Sequence, residues 1–406
     1  MISRRALVAG GAALALARPA IAAQPDLAAL LDAAAAERDP ARALTLLTPL
    51  RADRLAGAAR LDLITARDGL AVDVALARHG VEPRAKTAPA RNAAIFALLL
   101  RRKVGFAPSL AAIDRRLIAE QRLIDTRAQQ LFDKLGIDGA STGARFARLF
   151  ADPAGHYPDT DAGRDAAVAD MNALLPRLAA IIPTLIGPVP TYCLNVAASR
   201  GSSAEQAAGK VGTRTLPTPN SPGSYVIDLT RIADRPSWSL PSVTAHELLP
   251  GHMLQLPIEA AAHPRKLRLD YAPAFAEAWS IHIEHLVADA GLWADPRAML
   301  GYLHWRLFRI VRARIDIALH CHGWSIDQAR ARLTEWQGVP AYFAPFDSDL
   351  ARIAAEPATR AAEMLAALAI EEGARGKRGP ALIAFHQAML VDGRMRSDEI
   401  ARRARA

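Results

Sequence analysis

Cysteine is nearly missing: Cys193 and Cys321 are the only two in 406 residues, which excludes a disulfide scaffold. Lysine is scarce as well. Six of the 50 basic residues are Lys and 44 are Arg, scattered without a dense basic run interleaved with aromatics. A nucleic-acid groove needs such a run, so the net charge of +9 reads as compositional bias and no nucleic-acid partner is expected. The basic tail from Arg394 to Arg405 reads as a solvated helix face. No internal run is read as long, apolar and uncharged enough to span a bilayer. With 25 Gly the chain is not collagen-like, and at 51% hydrophobic and 22% charged it is not disordered. What remains is a globular chain long enough for one large domain or two ordinary ones.

Residues 1–22 read as an export signal. Arg4 and Arg5 form the charged start, Ala6 to Ala17 the short apolar stretch, and Ala20-Ile21-Ala22 the small-x-small cleavage pattern. Ser3-Arg4-Arg5-Ala6-Leu7 is similar to a twin-arginine signal, so the expected place is the periplasm or the exterior. Cleavage after Ala22 takes the charge from +9 to +6 by removing Arg4, Arg5 and Arg18, and leaves no stable membrane span. An oxidising compartment would permit a Cys193–Cys321 disulfide, but two free thiols are the favoured reading.

From Pro25 to about Ile182 the pattern is helical and rich in Ala, Leu and Arg, all strong helix formers. Leu110, Ile113, Leu117, Gln121, Leu123 and Ile124 give the three- and four-residue spacing of a helix face. No catalytic motif appears there. Residues 183–241 concentrate Pro and Gly, and Ser224-Tyr225-Val226-Ile227-Asp228-Leu229 is the best strand candidate. Helices return from Ser242. The expected organisation is an N-terminal helical region, 23–182, and a catalytic helical region, 183–406, in a mainly α fold with a small β element near 224–229.

The densest chemical feature is Thr244-Ala245-His246-Glu247-Leu248-Leu249-Pro250-Gly251-His252. Two His and an adjacent Glu are what a zinc hydrolase needs: two imidazole ligands, an open position for water, and a carboxylate to take the water's proton. The spacing is unusual. The common zinc helix places its His four residues apart, whereas these are six apart, about 120° away from each other on a regular helix. Pro250 has no N–H, and its ring would clash with the carbonyl of His246. Gly251 tolerates unusual backbone angles. A bulge at Pro250-Gly251 is therefore predicted, returning His252 to the side of His246. A straight helix here would defeat the metal reading.

A third ligand is sought on a second helix. Glu277 lies 25 residues after His252 in an uninterrupted helical pattern and shares a face with Glu284. Glu277 is expected to bind the metal. Glu284 either supports a ligand from behind or is an ordinary surface acid. A third helix, Arg306 to His320, carries Arg309, Arg312, Asp316 and His320 on one face. That face either lines a cleft or is a salt-bridged structural surface. His320 is the candidate donor to a developing oxyanion, and Arg309 or Arg312 could hold Asp316 or a substrate carboxylate. His282, His285, His304, His322 and His386 read as packing or surface residues.

These motifs resemble the bacterial family called domain of unknown function 885, from about Pro222 to Gly393. The family pattern His-Glu-x-x-Pro-Gly-His-x-x-Gln matches His246 to Gln255. Its Glu-Gly-Trp-Ala-x-Tyr-x-Glu segment is similar to Glu277 to Glu284, and its Arg-x-x-Arg-x-x-x-Asp-x-x-x-His helix to Arg309 to His320. A late Phe-His segment is similar to Phe385 to Gly393. The resemblance implies a multi-helix, gluzincin-type (zincin) metallopeptidase architecture around a central cleft, with His246, His252 and Glu277 on zinc (Zn2+) and Glu247 as base. The chain departs from the pattern at Ala278, which replaces Gly, and at His282, which replaces Tyr. It also departs over Pro357 to Glu363, where a Gln and a Tyr are missing.

The expected function is an exported zinc metallopeptidase acting on a peptide or small amide, with Glu247 as general base and His320 or a neighbouring Arg at the oxyanion. A zinc hydrolase of a non-peptide amide or ester, and a non-catalytic metal-binding envelope protein, stay open as alternatives.

Overall fold

The computed structural model describes residues 26–82, 92–107, 109–202, 204–205 and 208–405; the expected export signal, residues 1–22, lies outside them. The first helices are α1 (Leu27–Ala36), α2 (Pro40–Leu47), α3 (Gly57–Arg78), α4 (Ala93–Val104), α5 (Leu110–Leu135), α6 (Thr142–Ala151) and α7 (Asp161–Leu185). Their starts follow from the sequence. Asp26, Asp39, Asn92, Ser109, Ser141 and Thr160 each precede a helix and accept its first free N–H groups. Gly105 and Gly136 end α4 and α5 in the left-handed conformation that glycine adopts without cost.

A short sheet follows: β1 (Val196–Ser199), β2 (Thr213–Thr215) and β3 (Gly223–Val226), in the order β1-β3-β2. β1 runs parallel to β3 with Val196 opposite Gly223, and β2 runs antiparallel with Thr213 opposite Val226. The strand predicted over 224–229 thus ends at Val226. At Asp228 the side chain accepts the N–H and hydroxyl of Thr230 and turns the chain away.

The remaining helices are α8 (Leu240–Glu247), α9 (His252–Ala261), α10 (Lys266–Tyr271), α11 (Phe275–Asp289), α12 (Pro296–Cys321), α13 (Ile326–Trp336), α14 (Phe346–Ala355), α15 (Thr359–Ala374), α16 (Gly379–Leu390) and α17 (Ser397–Ala404). The fold is mainly α-helical. α12 is its axis: nearly all its residues are buried, and it packs against α5, α8 and α15. α11 packs between α8 and α15. The main apolar core draws on both sides of residue 182, from Leu61 to Ile400.

Two expectations are corrected. α7 is, by length and composition, apolar enough to cross a membrane. In the fold its Gly163, Ala167, Met171, Leu178 and Ile182 face the core, and Asn172 bonds both backbone groups of Ala198 in β1. The basic tail is not simply a solvated face either. Arg394 pairs with Glu259, Arg396 with Asp68, and Arg402 and Arg403 with Glu399. Cys193 and Cys321 are free thiols.

Candidate metal centre

The helix carrying His246 stops at Glu247, and a new one starts at His252. This is a full break over Leu248–Gly251, larger than the bulge predicted at Pro250-Gly251. Leu248 leaves helical geometry at φ −104°, ψ −107°, and Leu249-Pro250 is a cis peptide. Gly251 is fixed by space. A Cβ there would lie 2.0 Å from the His246 carbonyl oxygen and 2.4 Å from that of Ala245. The Pro250 carbonyl accepts the indole N–H of Trp279 at 3.0 Å, which ties the break to α11.

The result brings the two imidazoles together, with ring centroids 4.8 Å apart at 88°. Glu277 reaches both: its Oε1 lies 3.6 Å from His246 Nε2 and its Oε2 3.5 Å from His252 Nε2. One donor atom from each of the three falls within 4.8 Å of the others. Both His are buried and Glu277 is partly buried. Glu284 is buried behind His246. Its Oε1 accepts from His246 Nδ1 at 2.7 Å, and its Oε2 accepts the Ser242 hydroxyl at 2.6 Å. In the neutral ring that a metal would bind, that bond places the proton on Nδ1 and leaves the Nε2 lone pair facing Glu277 and His252. The residues therefore fit a divalent metal: two imidazoles, a carboxylate from a second helix, and an acid setting one tautomer.

The electrostatics agree. Burial pushes the Glu277 carboxyl up, but Arg309 and His246 overrule it and hold it well below the usual range. Burial lowers His246, yet the charge of Glu277 and the hydrogen bonds of Glu277 and Glu284 together outweigh it and lift the imidazole to about 9. The cluster thus attracts positive charge. Burial lowers His252.

Glu247 follows His246 in sequence and lines the same narrow cleft, with Val243, Glu284, Trp305, Arg309, Tyr342 and Phe343. The cavity is about 20 Å³, the room of roughly one water. The Glu247 carboxylate is paired with Arg214 of β2, an edge strand.

The polar face of α12 divides. Arg309 reaches the centre, with Nη1 2.7 Å from Glu277 Oε1 and Nη2 3.4 Å from His246 Nε2. The others do not. Arg312 makes a two-point pair with Asp349 at 2.9 and 2.7 Å, and Asp316 accepts the N–H groups of Ala358 and Ala361 at the start of α15. His320 donates its Nε2–H to the Ile353 carbonyl at 3.1 Å and stacks on Phe96. It stands 11 positions beyond Arg309, about 16 Å along the helix, so the expected oxyanion donor is a structural residue.

His282 and His386 are buried against each other, Nε2 to Nε2 at 2.9 Å, and His386 Nδ1 donates to the Leu185 carbonyl at 2.6 Å. His304 meets the Val339 carbonyl, His285 the Tyr302 hydroxyl, and His322 lies 3.8 Å from Asp114. Sequence reasoning missed Arg214, Ser242, Tyr342 and Phe343. Ser242 was findable, four residues before His246 on the same helix face. The others come from loop and edge-strand segments with no periodic signal.

A search of curated proteins finds no match to this chain. Two solved structures share its fold. One, described as "the putative lipoprotein from Colwellia psychrerythraea", aligns at TM-score 0.68 and 22% identity over 93% of this chain and 68% of its own. Another, described as "a putative lipoprotein of unknown function from Shewanella oneidensis", aligns at TM-score 0.63 and 16% identity over 93% of this chain and 73% of its own. The sequence pattern of one family extends over residues 5–403, well beyond the stretch from Pro222 to Gly393 that carries the motifs. The chain belongs to that family, the bacterial proteins of unknown function DUF885.

Proposed function

We propose that this protein is an exported, zinc-dependent hydrolase that acts as a peptidase. The observation that carries the reading is the convergence of His246, His252 and Glu277 from separate helices to within 4.8 Å. Structural zinc sites use four protein ligands, whereas three leave a position for water, as hydrolysis requires. When bound, the ion would act as a Lewis acid and bring the pKa of a water from about 15.7 toward about 7. Glu247, lining the cleft beside His246, accepts the water's proton and returns it to the leaving nitrogen. Arg214 holds the Glu247 carboxylate in place. Arg309, the one residue of the α12 polar face bonded to Glu277, donates to the oxygen that gains charge. Residues 1–22, with the lipoprotein description of the two structural neighbours, support export to the periplasm or beyond.

Metal analysis of the purified chain, then hydrolysis of a peptide library and of acyl-amide and ester substrates with and without chelator, tests the reading. Zinc near one per chain and chelator-sensitive peptide cleavage are expected. Cleavage of acyl amides or esters alone would replace the peptidase with another amide or ester hydrolase. Metal without any hydrolysis would leave a binding protein of the cell envelope.

A further inference from the structure

Part of the lining of the cleft is aromatic. Trp305 from α12 and Tyr342 and Phe343 from the segment between α13 and α14 line it together with Glu247 and Arg309. Phe343 is 42% exposed, one of two exposed Phe among the described residues, and the only one of the pair at this cleft. It is nonetheless ordered against a partner: its ring lies parallel to Trp305 at 5.9 Å and 10°, and edge-on to Phe308 at 5.8 Å. The turn that carries it is fixed by the Ala344 N–H on the Ala341 carbonyl at 2.9 Å and bracketed by Pro340 and Pro345. Tyr342 is held from behind by the Arg235 guanidinium, 3.5 Å from its ring centre, and by a hydrogen bond with Tyr225. Of the three rings, only Phe343 is exposed.

We infer that Trp305, Tyr342 and Phe343 form a side-chain subsite, and that the substrate carries an aromatic or large apolar side chain next to the bond that is cut. An exposed ring beside a proposed proton acceptor, stacked on a buried indole, offers a ligand ring a face to cover. The cavity holds about one water, so a side chain enters when Phe343 moves off Trp305 and restacks on the incoming ring. In the word substrate the inference rests on the hydrolase reading, but the subsite itself is testable by binding alone.

The test uses the mature chain with Glu247→Gln, which binds without turnover, and two probes, N-acetyl-phenylalaninamide and N-acetyl-alaninamide, read by calorimetry or saturation-transfer NMR. The Phe probe is expected to bind at least about tenfold tighter than the Ala probe, the size of burying a phenyl ring. Phe343→Ser removes that preference, and Phe343→Leu keeps an intermediate one with an unchanged melting temperature. Equal binding of the two probes, or a preference untouched by Phe343→Ser, overturns the subsite. A second arm compares wild-type kcat/KM on peptides that differ only in Phe or Ala at the cleaved position. A binding preference with no hydrolysis in that arm refutes the hydrolase reading and leaves the subsite standing.

Discussion

Gly251→Ala is the sharpest perturbation of the centre, because its effect follows from backbone geometry alone. The added Cβ would sit 2.0 Å from the His246 carbonyl oxygen, 2.4 Å from that of Ala245 and 2.6 Å from the His246 carbonyl carbon. Ordinary carbon–oxygen contacts are about 3.3 Å or more, so the segments must part by over about 1 Å. Neither side is a flexible chain end. His246 is bonded to Glu284 behind it, and the Pro250 carbonyl is held by Trp279. The cost is that of overpacking a rigid interior, about 2–3 kcal/mol, which in a chain of this size lowers Tm by roughly 2–4 °C. The movement also separates His252 from His246, so metal affinity falls by more than the stability loss explains. Thermal melts read the first effect and competition with a chromophoric zinc chelator the second. A Gly251→Ala protein with wild-type Tm and wild-type zinc affinity would refute the account of the break.

Three further outcomes are expected. Glu284→Gln removes the charge behind His246 but keeps an acceptor for its Nδ1–H, so zinc affinity drops about 10–100-fold while the fold is retained; chelator competition and circular dichroism read the two. Glu247→Gln keeps zinc by metal analysis and loses at least about 100-fold in kcat on whichever substrate the screen yields; full activity in that variant would end the proton-acceptor assignment. Burial lowers His304 from 6.5 to about 4, so its neutral form contributes stability that is complete above pH 6.5 and lost as pH falls through 4. The stability gap between wild type and His304→Leu should therefore shrink by about 3 kcal/mol from pH 7 to pH 4 in urea titrations, with Asp316 and the other groups common to both proteins. A gap that does not change with pH removes the neutral-histidine assignment.

The parts of the centre legible in the sequence are those whose geometry is local. His246, Glu247, Pro250, Gly251 and His252 lie within seven positions, and the clash of Pro250 with a helical carbonyl predicts a distortion of the helix there. Its extent was not legible, because how far a helix unwinds depends on what accepts the freed groups, here Trp279 from α11. Glu277 and Glu284 were readable as one helix face with Glu277 as the ligand, but whether Glu284 supports an imidazole or faces solvent was not readable; it accepts from His246 Nδ1. The same periodicity failed on α12. Arg309, Arg312, Asp316 and His320 share a face, yet that face runs past three different neighbours: the centre at Arg309, Asp349 of α14 at Arg312, and the start of α15 at Asp316. Periodicity assigns a direction, and only packing says what stands there.

Packing also explains why so many charges on these helices are structural. Buried Arg306 pairs with Glu371, Arg312 with Asp349 and Arg360 with Glu363, each by hydrogen bonds from the guanidinium to the carboxylate. Each of these three Arg is thus held by an acid of its own, and what separates Arg309 is that its partner, Glu277, also faces two imidazoles. The choice between structure and chemistry at α12 is therefore made by the partner acid. Where that acid has no other contact, the pair fastens two helices, since removing one member would strand a buried charge at a cost of about 3–5 kcal/mol. Where the acid is shared with His246 and His252, the same kind of pair sets the charge of the centre. Arg309→Met and Arg312→Met should part accordingly. Loss of Arg312 strands Asp349 and appears as a lowered Tm with zinc affinity intact. Loss of Arg309 leaves Glu277 its two imidazoles, and appears as a change in zinc affinity and turnover larger than any change in Tm. Equal effects of the two substitutions on zinc binding would mean that Arg309 is one more fastening and that the centre ends at Glu277.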